Sequence, residues 1–146
     1  MKPEDTADFH IRWSWYNISR MYNLKASEYG GTMAIGYALL NIDKEGTPST
    51  KLGPKMGMEP RSMTRMIKSL ENNGLIVKKP DKKDKRMVRL YLTDSGNELR
   101  KKSRDVVIKF NEKIFETIKQ KELETCFKVL KEINLLIDEN HIFETK

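Results

Sequence analysis

The sequence contains one cysteine and two histidines in 146 residues, and this scarcity excludes several kinds of site. Cys126 cannot form a disulfide within one chain, which is typical of proteins from a reducing compartment. It lies among apolar residues at helical spacing, so we expect it to fill a small space in the core rather than to act as a redox sensor. His10 and His141 stand near opposite ends of the chain without metal-binding spacings beside them. No metal or cofactor is therefore expected.

Long apolar runs and catalytic motifs are also missing. The longest stretch without a charged residue, from Tyr29 to Ile42, is shorter than the roughly 20 residues that a membrane-spanning helix needs. The first residues include Glu4, Asp5 and Asp8 and no apolar run, unlike a secretory signal. No Gly-x-Ser-x-Gly sequence occurs, and residues 53–57 lack the ending of a phosphate-binding loop. These absences predict a soluble cytoplasmic protein that is not an enzyme.

Positive charge, in contrast, is abundant and unevenly placed. The chain has 28 Lys and Arg against 21 Asp and Glu, for a formal net charge of +7 and a pI near 9.4. Between Lys51 and Arg104 there are 16 basic and 6 acidic residues, a net charge of +10, so the rest of the chain carries −3. A basic middle suits a polyanionic partner such as nucleic acid. The alternative is an ordinary solvated surface, because basic proteins are common.

Apolar periodicity predicts a mostly helical chain. Aromatic residues at helical spacing indicate a helix over residues 6–25, and the almost wholly apolar segment 32–43 indicates a second helix at the centre of the core. Two further helices are predicted near the C-terminus, a long one capped by Thr93 and another after a break near Gln120. Both carry long apolar stripes.

Two shorter helices are expected in the middle of the chain, joined by a tight turn over residues 56–58. A turn over residues 45–48 and a cap at Ser49 precede the first helix, which Pro54 keeps short or distorts. The second begins with Pro60 at its first position, where the missing N–H does no harm. Its apolar stripe consists of Met63, Met66, Ile67 and Leu70.

A β-hairpin is predicted to follow this helix. Gly74 ends the helix, and the apolar residues in 75–77 and 88–92 are spaced as in two short strands joined by a charged loop. Two short helices, a tight turn and a basic hairpin together predict a winged helix-turn-helix, whose second helix lies in the DNA major groove and whose loop reaches the minor groove. The alternative is that the basic residues of the helix only keep it soluble.

The stretch from Thr50 to Leu99 resembles the multiple-antibiotic-resistance regulator (MarR) family of bacterial transcription factors. The resemblance rests on three motifs in order: Leu-Glu-x-x-Gly-Leu after the second short helix, Asp-x-Arg in the loop, and Leu-Thr-x-x-Gly at the start of the next helix. They fall on Leu70, Glu71, Gly74, Leu75, Asp84, Arg86, Leu92, Thr93 and Gly96. The resemblance implies a mainly α fold with a small β-hairpin wing and long N- and C-terminal dimerisation helices.

The resemblance also implies three regions: an N-terminal dimerisation helix over residues 1–28, a winged helix-turn-helix DNA-binding region over 32–99, and C-terminal dimerisation helices over 100–146. Intertwined terminal helices would form a homodimer and place two recognition helices about one DNA turn apart, ~34 Å, for a palindromic operator. The alternative is that these helices form a cap within one chain. Double-stranded DNA and a second copy of the chain are the expected partners, with no membrane.

The residues expected to contact DNA lie on the second short helix and in the wing. By resemblance, Arg86 enters the minor groove, and Asp84 pairs with it and fixes its direction; the alternative is an ion pair that only holds the turn. The lysines of the loop contact phosphates, which raises affinity without reading sequence. The predicted set is Arg61, Ser62, Thr64, Arg65, Lys68, Lys82, Lys83, Asp84, Lys85 and Arg86.

Members of this family often bind small aromatic or anionic effectors. The residues expected to line such a pocket are His10, Trp13, Tyr16, Arg20 and Tyr37, although aromatic residues at helical spacing also form cores. The predicted function is a homodimeric, sequence-specific transcriptional regulator, a repressor because a bound operator blocks polymerase, released by such an effector. The alternatives are a winged-helix adaptor that meets an acidic protein, and non-specific packaging of nucleic acid. Peroxide sensing is not expected, because the N-terminal cysteine of the oxidation-sensing branch is absent.

Overall fold

The structure is a computed structural model that describes residues 1–138; residues 139–146, the end of the predicted C-terminal region, lie outside the described residues. A short 3₁₀ turn, Pro3–Asp5, comes first. The helices and strands that follow are α1 (Ala7–Ser27), α2 (Met33–Leu40), β1 (Thr47–Pro48), α3 (Ser49–Met56), α4 (Pro60–Asn72), β2 (Ile76–Pro80), β3 (Val88–Leu92), α5 (Asp94–Thr117) and α6 (Gln120–Asp138). The predicted mainly α fold with a small β wing is confirmed.

The chain forms two compact units, whose boundary lies between Val106 and Val107, inside α5. The first unit holds α1 to α4, the three strands and the first part of α5. The second holds the last part of α5 and α6. The three regions expected from the sequence are defined by their roles in dimerisation and DNA binding, and they stay a prediction.

The core of the first unit is built from α2, α3, α4 and the strands. Its buried hydrophobic residues are Ala38, Leu39, Ile42, Leu52, Met63, Ile67, Leu70, Leu75, Ile76 and Leu90. The central position predicted for the helix in segment 32–43 is confirmed, because Ala38 and Leu39 are 0% exposed. Burying one leucine side chain contributes roughly 1.5–3 kcal/mol. This core therefore supports both sides of the helix-turn-helix.

The sheet has three strands in the order β1-β3-β2, and both pairs are antiparallel. β2 and β3 form the predicted hairpin, with Ile76 opposite Leu92. The turn expected over residues 45–48 is wrong in its second half, because Thr47 and Pro48 form β1 against β3. A strand of two residues has no alternation, so periodicity cannot reveal it.

The start of α3 also differs from the prediction. Pro48 holds the N-cap position of α3, and Ser49, expected to be the cap, is the first helical residue. No side-chain hydrogen bond caps this helix. The predicted cap at Ser49 is wrong, because strand pairing of Pro48 with Arg89 fixes the chain up to the first residue of the helix.

The core position predicted for Cys126 is wrong. Cys126 lies on α6, and its side chain is exposed. The described part of the second unit consists of α6 and the last part of α5, and two helices by themselves cover only one face of each. Cys126 occupies an uncovered face, so apolar neighbours in the sequence do not bury it.

Candidate nucleic-acid interface

The turn after α3 fixes where α4 begins. Gly57 ends α3 with a φ of 64°, in the left-handed region that favours glycine. The Met58 N–H donates to the Gly53 carbonyl at 3.0 Å, and the Gly57 N–H donates to the Pro54 carbonyl at 3.3 Å. These bonds satisfy two carbonyls in the last turn of α3, and the chain turns sharply at Gly57. The predicted tight turn between two short helices is therefore confirmed.

Helix α4 has two chemically different sides. Pro60 is its first residue, as predicted, and follows Glu59 at the N-cap. Met63, Ile67 and Leu70 of the predicted stripe are buried, and Met66 is half-buried. The predicted contact residues on the remaining faces, all exposed, are Arg61, Ser62, Thr64, Arg65 and Lys68. The helix thus buries its apolar side in the core and presents a polar and basic surface to solvent.

The glycine and threonine residues of the motifs meet where β2 and α5 begin. The Thr93 N–H donates to the Leu75 carbonyl at 3.1 Å, and the Thr93 hydroxyl donates to the Gly74 carbonyl at 2.6 Å. The same hydroxyl oxygen accepts the Gly96 N–H at 3.0 Å, which confirms the predicted cap. A Cβ on Gly96 would lie 2.0 Å from the Leu75 carbonyl oxygen, so the close approach requires glycine. The Leu-Glu-x-x-Gly-Leu and Leu-Thr-x-x-Gly motifs therefore supply the two sides of one contact.

Asp81 organises the loop between β2 and β3, which is the wing. Asp81 is 8% exposed, and one of its carboxylate oxygens accepts the N–H of Lys83 at 2.8 Å and that of Asp84 at 3.0 Å. The Asp81 N–H donates to the Met87 carbonyl at 2.8 Å, and the Met87 N–H donates to the Asp84 carbonyl at 2.9 Å. Aspartate commonly stabilises turns in this way. The wing therefore has a defined shape.

The second carboxylate oxygen of Asp81 accepts a hydrogen bond from Arg89 Nε on β3. Arg89 Nη1 donates to the Gly46 carbonyl at 2.9 Å. The Arg89 guanidinium and then the Asp84 and Lys83 N–H groups hold the pKa of Asp81 well below its usual range. The Asp81 carboxylate in turn raises the pKa of Arg89. Asp81 and Arg89 are not among the residues predicted to contact DNA; the sequence signal for this pair is an aspartate at the start of a charged loop.

The predicted pair of Asp84 and Arg86 is present in the wing. Asp84 Oδ1 accepts the backbone N–H of Arg86 at 3.1 Å and its Nε at 3.3 Å. The Arg86 side chain is 93% exposed, so the carboxylate directs a side chain that projects into solvent. An exposed pair contributes only about 0 to 1 kcal/mol to stability. The other predicted wing residues, also exposed, are Lys82, Lys83 and Lys85.

Several cations of the basic segment are held by contacts within the chain. Lys55 and Lys78 each form an ion pair with a carboxylate, at 2.8 and 2.9 Å. Arg100 Nε donates to the Leu39 carbonyl at 3.2 Å, near the C-terminal end of α2 where a cation is favourable. Arg89 is held by the Asp81 carboxylate and the Gly46 carbonyl. The number of basic residues in the segment therefore overstates the number of cations available to a partner.

The five residues predicted to line an effector pocket lie on α1 and α2, and all are exposed. Trp13 stacks on Phe9 with 6.3 Å between ring centroids, and His10 Nε2 lies 2.8 Å from the Glu4 carbonyl oxygen. A cavity of about 360 Å³ in the first unit is lined by other residues, namely Lys44, Tyr91, Leu92 and Asn97. The pocket role of His10, Trp13, Tyr16, Arg20 and Tyr37 stays a prediction.

Among residues 1–138, no group of three or more His, Cys, Asp or Glu side chains is arranged to hold a metal ion. No helix in that range is both long and apolar enough to span a bilayer. His141, one of the two histidines of the chain, lies outside the described residues.

Two short helices joined by a glycine turn, followed by a hairpin whose loop carries Arg86, define a winged helix-turn-helix protein. The sequence model of the MarR family matches residues 39–88, from the end of α2 to the start of β3. Over these residues the chain is similar to the MarR family, which is a family of transcriptional regulators.

Known proteins resemble different lengths of the chain. The uncharacterised HTH-type transcriptional regulator YkoM from Bacillus subtilis (strain 168) is 32% identical over 79 residues, which are 53% of this chain and 51% of YkoM. The chain thus spans about half the length of this curated relative. The crystal structure of the S. aureus MepR–DNA complex matches 88% of this chain and 96% of that chain, with a TM-score of 0.79 and 17% identity. CouR from Rhodococcus jostii RHA1 bound to p-coumaroyl-CoA matches 91% and 94%, with a TM-score of 0.80 and 21% identity. These structural likenesses concern the fold.

Proposed function

We propose that the protein is a homodimeric, sequence-specific DNA-binding transcriptional regulator that represses its target by occupying a palindromic operator in the cytoplasm. One observation carries the proposal: a single compact unit combines the polar and basic surface of α4 with a shaped wing that projects Arg86. MepR, which has this fold, is solved in complex with DNA.

Helix α4 is the proposed recognition helix. An α-helix with its side chains is about 10–12 Å wide, and the major groove is about 12 Å wide. Arg61 and Arg65 can each donate two hydrogen bonds to a guanine edge, whereas Ser62 and Thr64 can reach bases or phosphates. Lys68 lies further along the helix and is assigned to the phosphate backbone.

The wing is assigned to the adjacent minor groove. Arg86 has the exposure to enter the groove, and Asp84 restricts the directions that its guanidinium can take. Narrow A·T-rich minor grooves concentrate negative potential and attract arginine. Lys82, Lys83 and Lys85 precede Arg86 in the wing and are assigned to phosphates.

The homodimer is supported by large apolar side chains that one chain leaves exposed. On α1, Trp13 is 66% and Tyr16 is 73% exposed, and on α6, Leu135 is 57% and Leu136 is 54% exposed. Patches of this kind mark interaction surfaces. A two-fold dimer that covers them would present two α4 helices to successive major grooves, about 34 Å apart. Light scattering of the full chain tests the dimer.

We further propose that a small aromatic or anionic effector releases the operator. The support is the solved structure of CouR, of this fold, with p-coumaroyl-CoA, together with the exposed aromatic residues of α1. A ligand that binds the folded state alone raises the melting temperature, so a thermal-shift screen with aromatic acids tests this part. A bound ligand that raises the melting temperature but leaves operator affinity unchanged would contradict the release.

The central experiment selects duplexes from a randomised pool with the full-length protein and measures affinity by mobility shift. We expect a palindromic sequence that binds about 10³-fold or more tightly than a scrambled duplex, with affinity falling steeply as salt rises. Arg86→Ala should weaken that binding about tenfold or more, because a good arginine contact contributes about 1–3 kcal/mol. Lys101→Ala, an exposed lysine on α5, is the control for loss of one charge.

Three outcomes separate the proposal from its alternatives. A protein that shows no preference among sequences and binds DNA weakly would be an adaptor. One that binds every sequence with comparable affinity would be a packaging protein. Selection of a sequence whose affinity Arg86→Ala leaves unchanged would remove the minor-groove role of the wing.

A further inference from the structure

Three parts of the winged helix are joined by one pair of side chains. Asp81 begins the wing loop, Arg89 lies on the middle strand β3, and Gly46 immediately precedes β1. Arg89 donates to the Asp81 carboxylate through Nε and to the Gly46 carbonyl through Nη1, the latter at 2.9 Å. The guanidinium therefore ties the wing to the segment that leads into α3.

This connection reinforces an edge of the sheet that has few backbone hydrogen bonds. β1 has two residues, and Pro48 has no N–H to donate to β3. Gly46 is buried, and a Cβ placed on it would lie 2.6 Å from the Tyr91 ring, so the chain packs directly on β3 at this point. The Arg89 side chain supplies a further bond there, between the middle strand and the start of β1.

The pair is placed to hold the wing rather than to touch DNA. The Asp81 side chain is 10% exposed and the Arg89 side chain 30% exposed, whereas the Arg86 side chain is 93% exposed. Both oxygens of the Asp81 carboxylate are engaged, one by loop N–H groups and the other by Arg89. These contacts all lie within the chain.

We infer that Asp81 and Arg89 are positioning residues for DNA recognition, which together fix the direction of the wing so that Arg86 reaches the minor groove while α4 occupies the major groove. The inference rests on the proposed DNA-binding function. The contact of Arg86 with the minor groove and that of α4 with the major groove reinforce each other only when the geometry of the protein permits both at once. A wing that has lost this tie keeps its charge, and therefore its general attraction to DNA, but loses the alignment that a particular sequence requires.

The test uses two variants that change the charge in opposite directions. Arg89→Met keeps the length of the side chain and removes one positive charge, whereas Asp81→Asn keeps the size and removes one negative charge. If charge alone mattered, Arg89→Met would weaken DNA binding and Asp81→Asn would strengthen it. If both residues position the wing, both variants weaken binding to the duplex selected by the wild-type protein, by about tenfold. Binding to a scrambled duplex of the same composition should change less than about threefold, because each protomer changes by only one charge.

The second readout is coupling to Arg86, measured by mobility shift on the full-length protein. Arg89→Met should cause little further loss when added to Arg86→Ala, because the side chain that it positions is already absent. Lys101→Met, which removes one exposed charge from α5, should instead add its full small effect to Arg86→Ala. Equal losses from Arg89→Met with and without Arg86→Ala would overturn the inference, as would opposite effects of Arg89→Met and Asp81→Asn.

A third readout does not require DNA. Spin labels at Lys83→Cys and Asn72→Cys, in a Cys126→Ser background diluted with unlabelled protein, report the distance between the wing and the end of α4. Arg89→Met should broaden this distance distribution, and an unchanged width would overturn the inference.

Arg89→Lys, which reaches one acceptor instead of two, replaces Arg89→Met if the latter fails to fold. If the wild type selects no sequence, the proposed function is contradicted. The role of Asp81 and Arg89 in positioning DNA contacts is then contradicted as well, even if the spin labels show that the pair fixes the direction of the wing.

Discussion

At the scale of single residues, the wing combines one contact that the sequence predicts with one that it does not. Asp84 and Arg86 are two residues apart, so a pair between them is a local feature of the motif. Asp81 and Arg89 are eight residues apart across the hairpin, and Arg89 and Gly46 are 43 apart. Those contacts depend on the register of β3 against both neighbours, which a local pattern does not contain.

The Asp81 carboxylate predicts a pH dependence of stability. Its pKa is lowered in the folded state by Arg89 and the loop N–H groups, so its contribution is fully present above the ordinary aspartate pKa of about 4 and is lost as the pH falls below it. Asp81→Asn should therefore be less stable than the wild type at pH 7, and the difference should shrink below about pH 4. Urea unfolding at fixed protein concentration measures both curves.

Asp105→Asn is the matched control, because it removes an exposed aspartate on α5. It should leave the stability difference between pH 7 and pH 3 close to that of the wild type. If Asp81→Asn behaved like this control, the Arg89 contact would contribute nothing to the stability of the wing.

At the scale of helices and strands, the apolar periodicity of the sequence identifies the long helices and misses the short elements. The stripe that predicts α4 reappears as its buried face, because it spans several turns. β1 and the start of α3 are missed, since two strand residues and an uncapped helix leave no pattern. The contact of Gly74 and Leu75 with Thr93 and Gly96 explains physically why the motif needs those residue types at both ends of the hairpin.

Gly96→Ala tests this contact. The added Cβ would lie 2.0 Å from the Leu75 carbonyl oxygen, so α5 or the start of β2 must shift. We expect a loss of about 1–3 kcal/mol in the free energy of unfolding, as for other overpacked sites. Ser95→Ala, an exposed neighbour in the same turn, should stay within about 0.5 kcal/mol of the wild type. Equal stability of the two variants would show that the helix start is not held against β2.

At the scale of the whole molecule, the charge count locates the candidate interface but does not say which cations serve it. The 16 basic residues between Lys51 and Arg104 include Lys55 and Lys78, each already paired with a carboxylate, and Arg100, which bonds the end of α2. Sequence alone cannot make this distinction, because the partners lie on other elements. The same limit applies to Cys126, whose exposure depends on how much of α6 is covered.

The distinction between exposed and paired cations predicts different salt dependences. Each phosphate contact contributes about −0.9 to the slope of log affinity against log salt, and a dimer carries every substitution twice. Lys83→Gln, which removes an exposed cation of the wing, should therefore reduce the steepness of the slope by about 2 on the selected duplex. Lys55→Gln removes the same formal charge from a lysine held 2.8 Å from Asp43 and should change the slope much less. Mobility shifts across a salt series give both slopes; equal reductions would mean that total charge, rather than its placement on the wing, governs binding.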